Sequence, residues 1–129
     1  MCRWLICLCF CIGVAHASDY KLHLPKHDKW SDADLLMEGA YLTLHTMDWL
    51  QTRYIATHPS QFYESINPVL GKHPSKDKVD LWFLATTIAQ PLIVDALPST
   101  LRKLWIAGGI TIEYRMVNKN ITAGIRFQW

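Results

Sequence analysis

Five residues constrain this chain more tightly than any motif in it. Glu38, Tyr41, His45, Asp48 and Thr52 follow one another at steps of three, four, three and four. At 100° per residue they share a helix stripe roughly 80° wide. Much of the remaining circumference is apolar, with Leu35, Leu36, Ala40, Leu42, Leu44, Met47, Trp49, Leu50, Tyr54 and Ile55. A surface helix of a soluble domain usually carries a broader polar face. A narrow polar seam on a greasy cylinder predicts a helix packed among others, or partly in lipid. Ser31 followed by Asp32 and Asp34 supplies an N-cap and a negative first turn, and His58-Pro59 stops the run. The helix is therefore expected over residues 32–57.

Two further segments follow. Pro59, Asn67-Pro68, Gly71 and Pro74 punctuate a loop, after which Ser75 caps a second helix reaching residue 97. Its apolar stretch, residues 79–97, has a mean hydropathy of about 1.4, borderline for a membrane span. Asp80, Thr87, Pro91 and Asp95 share one of its faces, and Pro91 is expected to kink it. Residues 101–117 read two ways. As a helix they bury Leu104, Trp105, Ile106, Ile110 and Ile112, with Gly108-Gly109 allowing a neighbour to approach closely. As a strand, Ile110, Ile112, Tyr114 and Met116 alternate with Thr111, Glu113 and Arg115. Alternation is cleaner over residues 121–129, which predicts a short C-terminal strand. Asn118-Lys119-Asn120 is then either a hairpin turn or the polar end of a helix. A single hairpin closes no barrel, so a membrane β-barrel is disfavoured.

The N-terminus addresses the chain. Arg3, an apolar run of about eleven residues and Ala15-His16-Ala17 form the three-part layout of a secretory signal, with cleavage expected after Ala17; an uncleaved anchor is the alternative. Cys2, Cys7, Cys9 and Cys11 are all the cysteines present and all lie in that segment. The exported chain would thus have no disulfide, thiolate-bound zinc or thiol chemistry. The expected organisation is a signal peptide (1–17), an irregular arm (18–31) and a helical domain with a C-terminal strand (32–129). His23 and His27 in the arm flank Pro25 and so are poorly placed to ligate a metal from one helix.

Charge and composition exclude several functions. Thirteen basic and eleven acidic residues give a net charge of +2, and 50% of the chain is hydrophobic. That excludes disorder and offers no basic field for nucleic acid. There is no Gly-x-Ser-x-Gly, phosphate-binding loop, His-Glu-x-x-His or dinucleotide turn, and no cofactor is implied. His45 and Asp48, at i and i+3, can touch. They are the candidate metal half-site or acid–base pair, which Glu38, Glu64 or Glu113 would complete. The structural alternative is a hydrogen-bonded pair that fixes helix register.

The run Asp48-Trp49-Leu50-Gln51-Thr52, then Glu64-x-x-Asn67-Pro68-x-Leu70-Gly71-x-x-Pro74-Ser75, then Asn120-x-x-x-Gly124-Ile125, resembles a group of small, uncharacterised bacterial and phage proteins. That resemblance implies helices in the middle of the chain, membrane association and an envelope location, and it tilts residues 101–117 toward helix. The resulting expectation is a mainly α protein, a membrane-associated three-helix bundle with a short C-terminal strand. It would be exported to the inner membrane or periplasm and act on lipid or another envelope protein by interaction. The alternatives are a small membrane-embedded hydrolase using His45, Asp48, Glu64 and Glu113, and a soluble periplasmic helical module.

Overall fold

A computed structural model describes residues 28–129 of the chain. The signal peptide and most of the arm, including His23 and His27, lie outside the described residues. Three helices account for the fold: α1 (Asp32–Thr57), α2 (Lys76–Ala96) and α3 (Ser99–Thr122). The protein is mainly helical, a three-helix bundle.

Each helix starts for a different reason. At α1 the Ser31 hydroxyl accepts from the Asp34 amide at 3.2 Å while the Asp34 carboxylate accepts from the Ser31 amide at 2.9 Å. Two otherwise orphaned donors are thereby satisfied reciprocally. At α2 the Ser75 hydroxyl takes the Lys78 amide. Helix α3 follows Pro98 and has no side-chain cap of its own. Its first amide, on Ser99, instead donates to the carboxylate of Asp28 at 3.0 Å. The chain preceding α1 therefore caps the third helix, a tertiary substitute for a local N-cap.

Helix α1 is the central element and packs against both others, whereas α2 and α3 touch each other sparingly. The α2–α3 contacts gather near their tight turn. There Trp105 Nε1 donates to Gln90 Oε1 at 3.1 Å, and Arg102 reaches the carbonyls of Val94 and Leu97. Toward the other end the two helices leave a cleft. Two small apolar clusters fill the bundle: Tyr41, Val94 and Ile106 near the turn, and Leu70, Val79 and Phe83 beneath the 59–75 loop. At Gly109 α3 lies directly against α1, since a Cβ placed there would lie 2.9 Å from the Tyr41 ring. Gly108 faces open space.

One open reading is resolved and one expectation changes. Residues 101–117 are helical throughout, as the favoured reading had it, and Asn118-Lys119-Asn120 lie in the last turns of α3, the helical one of their two readings. The C-terminal strand predicted over residues 121–129 is not formed, and no strand occurs among the described residues. The physical reason is the loss of its partner. A strand needs a neighbour for its backbone donors and acceptors, and residues 110–116, the nearest candidate, are already paired within α3. The helix ends in a Schellman arrangement: Gly124 at φ +80° donates to the carbonyl of Ile121, and Ile125 donates to that of Asn120, both at 3.0 Å. That conformation favours glycine. The tail then lies back on α1, where the Gln128 amide donates to Leu50 O at 3.1 Å. Pro91 stands inside α2, which continues through it.

The interior mixes apolar and polar groups: Val79, Val94 and Ile106 are fully buried, and so are Arg102, Gln51, Thr52 and Asp34, while Leu36 (77% exposed), Leu81 (68%), Leu92 (67%) and Leu104 (65%) face outward. Thr43, Thr46 and Thr111 also face outward, and each returns its hydroxyl proton to the carbonyl four residues earlier in its own helix. Among the described residues, α2 is the one helix long and apolar enough to cross a membrane by length and composition.

Candidate functional site

The seam read from the sequence lies inside the bundle. Glu38, Tyr41, His45 and Thr52 are buried, and Asp48 is half-buried. His45 is the junction of the three helices. Its Nδ1–H donates to Glu113 Oε1 on α3 at 2.7 Å, and its Nε2 lies 3.0 Å from Thr86 Oγ1 on α2. The Thr86 hydroxyl is in turn 2.9 Å from the carbonyl of Trp82 in its own helix. The ring is stacked on Tyr41 and tilted against Phe83, with centroids 5.4 and 4.9 Å away. One side chain of α1 thus ties both other helices, and packing on two aromatic faces leaves its imidazole little freedom to turn.

Asp48, one turn further along α1, accepts from Asn120 Nδ2 of α3 at 3.1 Å. His45 and Asp48 therefore share a face but not a hydrogen bond; each is matched to a different residue of α3. Glu38, by contrast, lies toward the α2–α3 turn and accepts from Gln90 Nε2 at 3.3 Å. Of the three carboxylates expected to complete the pair, Glu113 is the one that binds His45.

Glu64 lines the same cavity, but its carboxylate has structural work: Oε1 accepts from the amides of Ile66 and Asn67 at 2.9 and 3.1 Å. Asn67 continues the pattern, its Oδ1 accepting from the amides of Val69 and Leu70 at 3.0 and 3.2 Å. Gly71, at φ +74°, then turns the chain, and Leu70 drops onto Val79 and Phe83. The Glu64-x-x-Asn67-Pro68-x-Leu70-Gly71 run is thus a loop that satisfies its own backbone and inserts one leucine into the core, as Asx-type turns do. Pro74-Ser75 ends it by starting α2. Lys78 Nζ donates to Leu70 O at 2.9 Å and holds the loop to that helix.

Together these parts enclose a cavity of about 440 Å³. Its floor is the α1 seam, its walls are α2 (Trp82, Phe83, Thr86) and α3 (Ile112, Glu113, Met116), and its roof is the loop from Tyr63 to Leu70. It lies where α2 and α3 diverge, within the size range of small-molecule sites. Among the described residues no three His, Cys, Asp or Glu side chains converge in a way that could hold a metal ion. His45 and Asp48 therefore find no third ligand of that kind.

Sequence reasoning missed several participants. Thr86 carries no local signal, because a threonine within an apolar helix looks like any other. Asn120 reads from the sequence as a hairpin-turn residue or the polar end of a helix, and neither reading points to Asp48. Arg102, at the start of α3, is fully buried. Its guanidinium donates to the carbonyls of Val94, Leu97, Asp28 and Lys29 and lies 3.5 Å from Asp34 Oδ2. No known protein family, curated protein or solved structure matches the chain. Fold and site alone define its class: a small helical bundle with a polar seam in its interior, several exposed leucines and a cleft between its second and third helices.

Proposed function

We propose that this chain is an exported envelope protein embedded in the inner membrane, acting by binding rather than by catalysis, with the cleft between α2 and α3 as its recognition site. The observation that carries this reading is the set of exposed leucines over an interior that hides charged and polar side chains. Water would leave Leu36, Leu81, Leu92 and Leu104 exposed at the expense of the hydrophobic effect, whereas lipid rewards exactly that placement only if polar groups are paired inside. Arg102, Gln90 and His45 find partners inside, and Asp34, Glu38 and Glu113 each engage one carboxylate oxygen there, the second oxygen of each staying without a partner. Trp30 and Trp49 support it from the two ends of the bundle, donating their indole N–H groups to Asp95 and Asp80, both at 2.8 Å. Tryptophans with a polar partner and an apolar body suit the two faces of a bilayer.

Membranes from cells expressing the full chain, washed with alkaline carbonate, test the reading. The protein should stay in the pellet and need detergent for release; recovery in the carbonate supernatant would favour the soluble periplasmic module and end the proposal.

A hydrolase is the second reading, and one observation favours it: the hydroxyl–imidazole–carboxylate chain Thr86–His45–Glu113. Two features oppose it. Thr86 is turned back on its own helix carbonyl, and the amides around it are committed within α2, so no pair of donors stands ready for an oxyanion. Glu64 is occupied by its loop. Separate His45→Ala and Asp48→Asn variants that fold and keep the phenotype of the protein would remove this reading.

A further inference from the structure

The cleft has more negative than positive chemistry, and several of its acceptors are unused. Asp48, Glu64 and Glu113 line it, against His45 and Lys119. Lys119 is engaged with the Ser65 hydroxyl, 2.8 Å from its Nζ, at the loop edge. Glu113 spends Oε1 on His45, and its Oε2 is buried with no hydrogen-bond partner. Asp48 spends Oδ1 on Asn120. A third, independent acceptor is Tyr41. It is 8% exposed and walls the same cavity, and its hydroxyl has no hydrogen-bond partner among the described residues.

From these groups we infer that the cleft binds an organic cation, a primary ammonium on a short apolar tail. The inference rests on the reading of the cleft as a recognition site. A carboxylate in apolar surroundings must be neutralised or paired, and an ammonium brings three N–H donors for unused acceptors on Asp48, Glu113 and Tyr41. The tail has a place as well, because Trp82, Phe83 and Met116 wall the rest of the cavity. Aromatic faces attract cations in addition, and the loop already shows such a pairing, Lys72 Nζ lying 5.0 Å from the centre of the Tyr63 ring. The cavity volume of about 440 Å³ accommodates a molecule of that kind, not a macromolecule.

The test uses the full chain in zwitterionic nanodiscs, titrated with hexylammonium, hexanol and hexanoate while the tryptophan fluorescence is followed. Hexylammonium should give saturable binding at least tenfold tighter than either of the others. Asp48→Asn, which keeps a side chain able to meet Asn120, should weaken it at least tenfold with the circular dichroism unchanged. Tyr41→Phe, which removes one oxygen and keeps the ring against Gly109, should weaken it severalfold and guards against a misfolded carboxylate variant. Equal binding of hexanol and hexylammonium, unchanged affinity in both variants, or saturable binding of calcium or zinc ions but not of the amine would overturn the inference. Any of these results can occur in a protein that resists carbonate extraction, so the two failures are separable.

Discussion

Replacing Arg102 by methionine should unfold this protein more readily than any other single change in the bundle. The side chain is fully buried and its guanidinium serves three separate segments. Nε donates to Val94 O in the last turn of α2 at 3.1 Å and Nη2 to the carbonyl of Leu97, just past its end, at 3.2 Å; Nη2 also reaches Asp28 O at 2.9 Å and Nη1 reaches Lys29 O at 3.4 Å. The Asp34 carboxylate is more distant, at 3.5 Å. The shorter carbonyl contacts should therefore dominate over the ion pair. Methionine has similar bulk, so no large cavity opens; what is lost is the pairing of buried polar groups. Hydrogen bonds to charged groups are worth about 1.5–3 kcal/mol each, though not additively, and stranding a buried charged partner costs about 3–5 kcal/mol. We expect Arg102→Met to cost about 3–5 kcal/mol, a large share of the usual 5–15 kcal/mol of a domain. Arg102→Lys should cost less, because it keeps the charge while losing the fork. Asp34→Asn should cost least of the three, since an amide oxygen can still accept from the Ser31 amide. Reversible unfolding in mixed micelles, followed by far-ultraviolet circular dichroism, ranks the three. A loss below about 1 kcal/mol for Arg102→Met, or a larger loss for Asp34→Asn, would refute the reasoning that carbonyl capping holds this end together.

Three further outcomes follow from local geometry. Gly109→Ala should destabilise by about 1–3 kcal/mol, because its methyl would meet the Tyr41 ring at 2.9 Å. Gly108→Ala, in open space, should instead raise stability by up to about 1 kcal/mol through helix propensity; the same unfolding assay compares the two. At φ +80°, Gly124→Ala should cost about 1 kcal/mol and Gly124→Asn less, read from the same transition. Asn67→Ala strands the amides of Val69 and Leu70 and should loosen the roof of the cleft, seen as faster proteolysis within residues 63–70 while the helices stay protected.

How much of this was legible beforehand differs by element. The limits of α1 coincide with Ser31 and His58-Pro59 because caps and prolines act within a few residues, so the sequence carries the whole signal. The 3-4-3-4 seam predicted an inward polar face for the same reason: helix periodicity is local. Residues 121–129 misled because alternation describes only which side chains share a face. It says nothing about whether a second strand is available, and here the one candidate had folded into α3. The candidate site was half legible. His45, Asp48 and Glu113 stand out as ionisable groups amid apolar runs, but Thr86 and Asn120 gain their roles only from what they face.

By itself the sequence determined the capped beginnings of α1 and α2, the punctuated loop between them and one narrow polar stripe. Each follows from interactions between residues a few positions apart, which the order of side chains encodes directly. Only the tertiary structure decided that His45 meets Glu113 rather than Asp48, residues 68 apart, that Asp28 caps α3, and that Arg102 is interior. Those pairings depend on how the helices cross, and the crossing is chosen by the bundle as a whole: by Gly109 admitting Tyr41, and by buried carboxylates, imidazole and guanidinium finding partners wherever three helices bring them within reach.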